Sequence, residues 1–330
     1  MGGSPLNISE ERLRAEAAGT DFRPEILEKS LRLLSLLETF FQHPFLKSRF
    51  TLKGGTALNL FLFDVPRLSV DADLNYVGAQ DRAKMMAERE QVERASRAVF
   101  GREDFRVQRV PSPDEHAGGK WRLRYRSALG GEGNLEVDIN FMFRVPLWPP
   151  EASDSRVLGS AQTRQIPVLN IHELAAGKLV ALFSRRASRD LFDTRELLWR
   201  NDLNQTRLRT AFVAYGAMSR KDWRTITIGD ISYEPNELKN DLIPTLRTQV
   251  ASQLGDPKPW ASKLVSECTE RLQPLISFTP AEREFLDRLL DYAEIKPSLI
   301  TSDEALAERI AQHPLLAWKA ENVRRYNKRG

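Results

Sequence analysis

The chain has 330 residues, of which 41% are hydrophobic and 28% charged, so it can bury a sizeable core and lies outside the composition of disordered proteins. Lys and Arg outnumber Asp and Glu by 49 to 45, a mild basic excess that permits a polyanionic partner without requiring one. The single cysteine, Cys268, excludes an internal disulfide and any cysteine-based zinc cluster, which fits a reducing cytoplasm, and no apolar run approaches the ~18 residues of a membrane span.

The opening "MGGSPLNISEERLRAEAAG" lacks the hydrophobic segment of a secretory signal, and Met1 to Ser4 carry no structural expectation. From Pro24 to Phe41, Leu27, Leu31, Leu34 and Phe41 recur at helical spacing, with Pro24 in the first turn. A short strand ending at Lys53 follows, broken by Gly54 and Gly55. Ala57, Leu58, Leu60, Phe61 and Leu62 then form an apolar helix that Pro66 should end. "RLSVDADLNYV" alternates as a strand does, with Val70, Ala72 and Leu74 on one side and Ser69, Asp71 and Asp73 on the other.

Residues 82–99 read as a polar-faced helix. Strands follow at 105–110, at 121–126, where Arg122, Arg124 and Arg126 alternate with Trp121, Leu123 and Tyr125, and at 134–143, where Glu136, Asp138 and Asn140 share a face. Gly130, Gly131 and Gly133 mark the hairpin loop between the last two. The Pro-rich stretch at 144–156 is a hinge into a mainly helical remainder, giving an expected division into lobes 1–155 and 156–330. Within that remainder Asn170 and Glu173 have the spacing of a capping box, Ser188 is placed to start the next helix, and Thr279-Pro280-Ala281-Glu282 is a stronger box.

Two aspartates at i and i+2 on one strand face can jointly grip one or two Mg²⁺ ions, since hard cations prefer carboxylate oxygen. Asp138 on a neighbouring strand's polar face would supply a third carboxylate. Without side chains at Gly54 and Gly55, backbone amides and the next helix's N-terminus can approach a phosphate, and Thr56 adds a hydroxyl there. Nucleotidyl transfer needs this kind of assembly: metal held by carboxylates, and positive charge and amides on a triphosphate. Alone, an Asp-x-Asp is more often a solvated strand face and a Gly-Gly pair more often a turn. The order glycine pair, apolar helix, Asp-x-Asp strand, later strand with Asp is more specific than either.

His43, His116, His172 and His313 show no metal-binding spacing; His43 and His313 precede proline and shape turns, and His172 is read first as structural. No nucleophile elbow, Walker A loop or dinucleotide fingerprint occurs. Arg185, Arg186 and Arg189 form either an anion-binding cluster or an exposed basic turn. The tail "WKAENVRRYNKRG" mixes Trp318 and Tyr326 with Arg324, Arg325, Lys328 and Arg329; a solvated terminal helix is favoured over an RNA-binding one.

"LKGGTALNLF" followed by "RLSVDADLN" resembles the signature of the polymerase beta-like nucleotidyltransferase superfamily, and in particular its AbiEii/AbiGii toxin branch of type IV toxin–antitoxin systems. "HELAAGKLVALFSRRASRDLFD" at 172–193 resembles that branch's second signature. The resemblance runs from about Pro24 to the C-terminal "HPLLAWKAENVRR". It implies an α+β fold: a nucleotidyltransferase lobe with a mixed sheet, then a mainly helical lobe completing the active site. By the same resemblance Gly55 and Thr56 contact nucleotide phosphate, Asp71 and Asp73 bind Mg²⁺ and Lys178 binds the triphosphate; Asp138 stands where other members of the superfamily hold a third carboxylate, and Gly54 and Arg189 are further candidate nucleotide contacts. A downstream aspartate completes the site; Asp190, which follows Arg189, is favoured, with Asp193 second. The implied reaction is NMP transfer from an NTP to an RNA acceptor such as a tRNA 3′ end, by a cytoplasmic toxin with a cognate antitoxin encoded beside it. The rivals are a nucleotidyltransferase acting on a protein or small molecule, and a non-catalytic nucleotide- or RNA-binding scaffold.

Overall fold

The computed structural model describes residues 6–112 and 117–327. Met1 to Ser4, His116, Lys328 and Arg329 therefore lie outside the described residues. The chain forms two compact units, one of residues 1–144, 150–169 and 243–255, the other of 145–149, 170–242 and 256–330.

The first unit is built on a mixed sheet of seven strands: β1 (Phe50–Lys53), β2 (Asp71–Tyr76), β3 (Arg106–Arg109), β4 (Gly118–Arg126), β5 (Glu132–Asn140), β6 (Glu151–Ser153) and β7 (Ile166–Val168), in the order β3-β4-β5-β2-β1-β7-β6. β2 runs parallel to β5 and antiparallel to β1, and β1 runs parallel to β7. β7 lies beyond residue 155, pairs with both β1 and β6, and belongs to this sheet.

Helical segments α1 (Glu10–Thr20), α2 (Pro24–Gln42), α3 (Gly54–Thr56) and α4 (Arg82–Arg102) accompany the sheet. The helical spacing read in α2 is a buried stripe, with Leu27, Leu31, Leu34 and Phe41 all inside. Its end joins a run of edge-on or tilted rings, Phe40 to Phe50, Phe50 to Tyr76 and Tyr76 to Phe141, at centroid distances of 5.2, 5.7 and 5.2 Å. Strand alternation sends Trp121, Leu123 and Tyr125 into this core while Lys120, Arg122, Arg124 and Arg126 stay in solvent. A buried carboxylate fixes the β4–β5 hairpin to α2: Glu28 accepts from the Ser127 hydroxyl at 2.6 Å and the Ala128 amide at 2.9 Å. β5 ends where the Asn140 side chain accepts from the amides of Met142 and Phe143.

The apolar segment after the glycines is a π-helical turn, Ala57–Leu62, and it stops at Phe63, short of Pro66. Single π-turns of this kind recur at functional sites.

The second unit is helical: α5 (Ile171–Ser184), α6 (Ser188–Leu198), α7 (Gln205–Met218) and α8 (Pro235–Glu237), then, after α9 (Thr248–Gln253) of the first unit, α10 (Pro257–Ile276), α11 (Pro280–Tyr292), α12 (Glu304–Ala311) and α13 (Pro314–Asn327). The box at Thr279 and Glu282 forms in both directions. The one expected at Asn170 and Glu173 forms only in half. Asn170 Oδ1 accepts from the His172 amide, but Glu173 turns inward to accept from the amides of Leu147 and Trp148 and from the Tyr215 hydroxyl. Ser188 is the first helical residue, as expected, with Ala187 at the cap position. The mixed sheet and helical remainder are the expected α+β architecture.

Candidate active site

In the first unit, the order Gly-Gly, π-turn, Asp-x-Asp strand becomes one local structure. Gly54 has φ +74°, in the left-handed region, and a Cβ there would sit 2.1 Å from Asp73 Oδ2. Glycine is therefore required twice, by the backbone and by the carboxylate lodged against the turn. Asp71 and Asp73 are half-buried on one face of β2, with Ala72 and Leu74 buried on the other. Thr56, expected to offer its hydroxyl to a phosphate, is fully buried; its Oγ1 lies 2.5 Å from the Asp71 carbonyl oxygen and 2.9 Å from the Ser69 hydroxyl. It ties the turn to the entry of β2. Arg67, also buried, donates to the Leu68 carbonyl just upstream.

Register brings the third carboxylate in. Asp138 of β5 is the direct partner of Asp73, and Glu136 that of Asp71. Burial pushes the Asp138 carboxyl above its ordinary range, with Asp73 and Glu136 adding to the push and Lys53 and Lys120 opposing it. Two lysines that the motif reading passed over complete this patch. Lys53, opposite Asp73 across the β1–β2 pair, places Nζ 3.9 Å from Asp73 Oδ1, and Lys120, opposite Asp138, donates to Glu136 at 3.0 Å. The signals were present: Lys53 directly precedes the glycine pair, and Lys120 has the parity of Arg122 and Arg124.

A divalent ion fits this donor set. The oxygens are hard, the turn leaves Asp73 room on the glycine side, and the burial of Asp138 beside Asp73 and Glu136 is a setting whose cost a cation relieves. Among the described residues no three His, Cys, Asp or Glu side chains gather as a ready-made cage. That is compatible with Mg²⁺, which is held by one or two carboxylates and completed by water and substrate phosphates.

The second signature forms its own cluster in the helical unit. Lys178 of α5 places Nζ 2.8 Å from Asp190 Oδ1 and 3.0 Å from Asp193 Oδ2, both from α6, with side-chain exposures of 9%, 2% and 0%. The three-residue spacing on one helix face is what lets both aspartates reach one amine. Burial alone raises the Asp190 carboxyl, but Lys178 and Arg185 outweigh it and hold the group below its ordinary range. Arg185, largely exposed, reaches Asp190 Oδ2 at 2.6 Å, and Arg189 pairs with Glu237 at 3.4 Å. Gly177 is not needed for space, since a Cβ would meet only the Tyr215 ring at 3.8 Å.

The three histidines among the described residues are each engaged by hydrogen bonds. His172 faces Asn170 Oδ1 at 2.8 Å through Nδ1 and accepts from the Asn204 amide through Nε2, which assigns the ring proton to Nδ1. His43 and His313 each accept, through Nδ1, from the amide two residues on. Among the described residues no helix is long and apolar enough to cross a membrane.

A search of curated proteins finds no match. Among solved structures, MenT4, a nucleotidyltransferase toxin from Mycobacterium tuberculosis, superposes with a TM-score of 0.63 at 17% identity, covering 92% of this chain and 99% of its own; the fold is shared. The sequence model of the family described as "Nucleotidyl transferase AbiEii toxin, Type IV TA system" matches residues 35–274. With most of its length matched, the chain belongs to the AbiEii nucleotidyltransferase toxin family of type IV toxin–antitoxin systems.

Proposed function

We propose that the protein transfers a nucleoside monophosphate from an NTP to an RNA acceptor, a tRNA 3′ end being the acceptor class, with Mg²⁺ as the metal. The observation that carries the reading is the packing of Gly54 against Asp73, beside Asp71 and with Asp138 as register partner. The acceptor hydroxyl attacks the α-phosphate and pyrophosphate leaves. Asp71 and Asp73 hold the metal, with Asp138 as a third oxygen source. Bound there, the ion would polarise the phosphoryl oxygens and neutralise the leaving pyrophosphate. The amides of the Gly54–Gly55 turn orient the triphosphate, and Lys53 balances the acidic patch.

Lys178 is proposed as a triphosphate contact, completed by Asp190 or Asp193, with Arg189 as a further nucleotide contact. The double pairing of Lys178 favours a second role, that of a buried ion cluster holding α5 to α6. The protein's partner is proposed to be an antitoxin encoded beside it, and its location the cytoplasm.

Incubation of the purified protein with α-labelled NTPs, Mg²⁺ and total tRNA tests the reaction. Labelled RNA is expected. Label on protein or a small molecule transfers the reading to a different acceptor, and absence of label removes it. Asp71→Ala and Asp73→Ala should each lower transfer by at least about 100-fold, the scale of losing one preorganised electrostatic contact. Lys178→Ala with normal folding but no transfer supports the contact role; lost folding supports the structural one.

A further inference from the structure

The sheet face that carries Asp71 and Asp73 does not end at β5. Asp138 and Glu136 face Lys120 and Arg122 on β4, Asn134 and Glu132 face Arg124 and Arg126, and Arg124 and Arg122 face Arg106 and Arg109 on the edge strand β3. Directly opposed residues point to the same side. Arg106 and Arg109 are three apart, so a regular strand would send them to opposite faces. The register shift between Val107 and Arg109 brings both opposite outward-pointing arginines of β4.

Six cations therefore line this face, all exposed: Arg106, Arg109, Lys120, Arg122, Arg124 and Arg126. Glu136 pairs with Lys120 and Arg122, and Glu132 with Arg124. Among the described residues no carboxylate pairs with Arg106, Arg109 or Arg126. Two Arg–Arg pairs thus stand directly across from each other; the β4 member of each has a carboxylate partner, and the β3 member, Arg106 or Arg109, faces it without one among the described residues, an arrangement that a further anion at the β3 side would favour. Protection of a sheet edge would explain charge on β3. It would not explain matching arginines on the inner strand β4, nor a bulge that aligns the two sets.

Resting on the RNA-acceptor reading above, we infer that the open face of β3 and β4 is the platform for the acceptor's phosphate backbone. The cations repeat along β4 every two residues, about 6.8 Å apart, and lead to Asp138 at the β5 boundary. An RNA strand laid along them carries its terminal hydroxyl towards Asp71 and Asp73. Arginine forks suit phosphate bidentately, and the sheet holds them in place: the backbone carbonyl of Arg126 accepts from Arg32 of α2 at 2.9 Å.

The test uses the full chain with the double substitution Arg106→Glu and Arg109→Glu. Binding of fluorescently labelled tRNA is followed by anisotropy from low to high salt, beside calorimetric binding of NTPs with Mg²⁺ and a titration with poly-glutamate. The expected result is tRNA affinity at least about tenfold weaker, a salt slope shallower by about 1 to 2, and NTP binding unchanged. If the unsubstituted protein binds tRNA and the variant matches it in affinity and slope, the platform is overturned while the RNA-acceptor reading stands. If the unsubstituted protein binds no tRNA, that reading fails and the platform with it. Poly-glutamate bound as tightly as tRNA, with the same arginine dependence, overturns the inference in favour of an acidic protein partner. Should the Glu variant not fold, Arg106→Gln with Arg109→Gln carries the same comparison, with a loss of roughly threefold or more in affinity expected and an unchanged affinity overturning the platform.

Discussion

Gly54 is the residue on which the geometry of the acidic patch is most exposed to a single atom. Its φ of +74° disfavours any other residue, and the missing Cβ is the space in which Asp73 Oδ2 sits. Gly54→Ala should cost about 1–2 kcal/mol from the backbone alone. It should also displace the Asp73 carboxylate, so transfer should fall at least about tenfold, beyond what a loss of a few degrees in melting temperature explains. Full activity with an unchanged melting curve would show that the close approach has no consequence. Lys178 poses a different single-residue question, because Asp190 and Asp193 hold the same amine. Removing one member of a buried ion cluster costs about 3–5 kcal/mol, and the surviving carboxylate puts Asp190→Asn and Asp193→Asn near the lower end. The sign with pH follows from the ionised form of Asp190 being favoured in the fold, below its ordinary 3.8. Its contribution is complete above that value and is lost as the pH falls through the folded one. Acid unfolding of the Asp190→Asn variant should therefore lack part of the parent's dependence below about pH 4, as read from urea midpoints across that range.

At the scale of elements, Glu173 shows how a helix start can be diverted from capping to tertiary work. Burial pushes its carboxyl up to about 7 from 4.5, against the pull of the Leu147 and Trp148 amides and the Tyr215 hydroxyl. Between those two pH values the native chain holds a proton that the unfolded chain releases. Stability from this group is thus complete below about pH 4.5 and declines until about pH 7, by about 3 kcal/mol. Glu173→Gln stays neutral and loses that slope, while turning an amide donor towards one of the backbone amides, a cost of roughly 1–3 kcal/mol. The difference in urea stability between parent and variant should shrink from pH 5 to pH 8; a constant difference would assign the slope to other groups. Glu173 was legible as a cap because capping is local, and its real partners were not, because they lie 25, 26 and 42 residues away. The same division runs through the site. The common face of Asp71 and Asp73, and the parity of Asp138, follow from a period of two and could be read directly. That Asp138 stands beside Asp73 and Lys53 opposite it depends on which strands pair, which no local pattern encodes. The bulge aligning Arg106 with Arg109 was hidden for the same reason. β6 and β7, three residues each and the second carrying Pro167, are too short to show a period.

At the scale of the whole molecule, the sequence suggests one cut near residue 155, whereas the sheet unit is assembled from three stretches of chain. β7 supplies the neighbour of β1: the Leu169 amide donates to the Leu52 carbonyl at 3.0 Å, and the Thr51 hydroxyl to the Pro167 carbonyl at 3.1 Å. The later stretch returns to the start of the unit. Leu68 donates to the Thr245 carbonyl at 2.8 Å, Thr248 to that of Asp21 at 2.7 Å, and the Arg247 guanidinium lies 4.9 Å from the centre of the Phe22 ring. A fragment of residues 1–155 lacks both, leaving β1 with an unpaired edge beside the Gly54 turn, and such edges recruit other chains. It should aggregate and show no cooperative urea transition. A fragment of residues 1–169 regains β7 and should unfold cooperatively, and a peptide of residues 243–255 added to it should raise its midpoint, since a ligand that binds only the folded form stabilises it by mass action. A cooperative, monomeric 1–155 fragment with native-like aromatic circular dichroism would make residue 155 a true folding boundary. It would also mean that β1, and with it the seat of Asp73, is held by β2 alone.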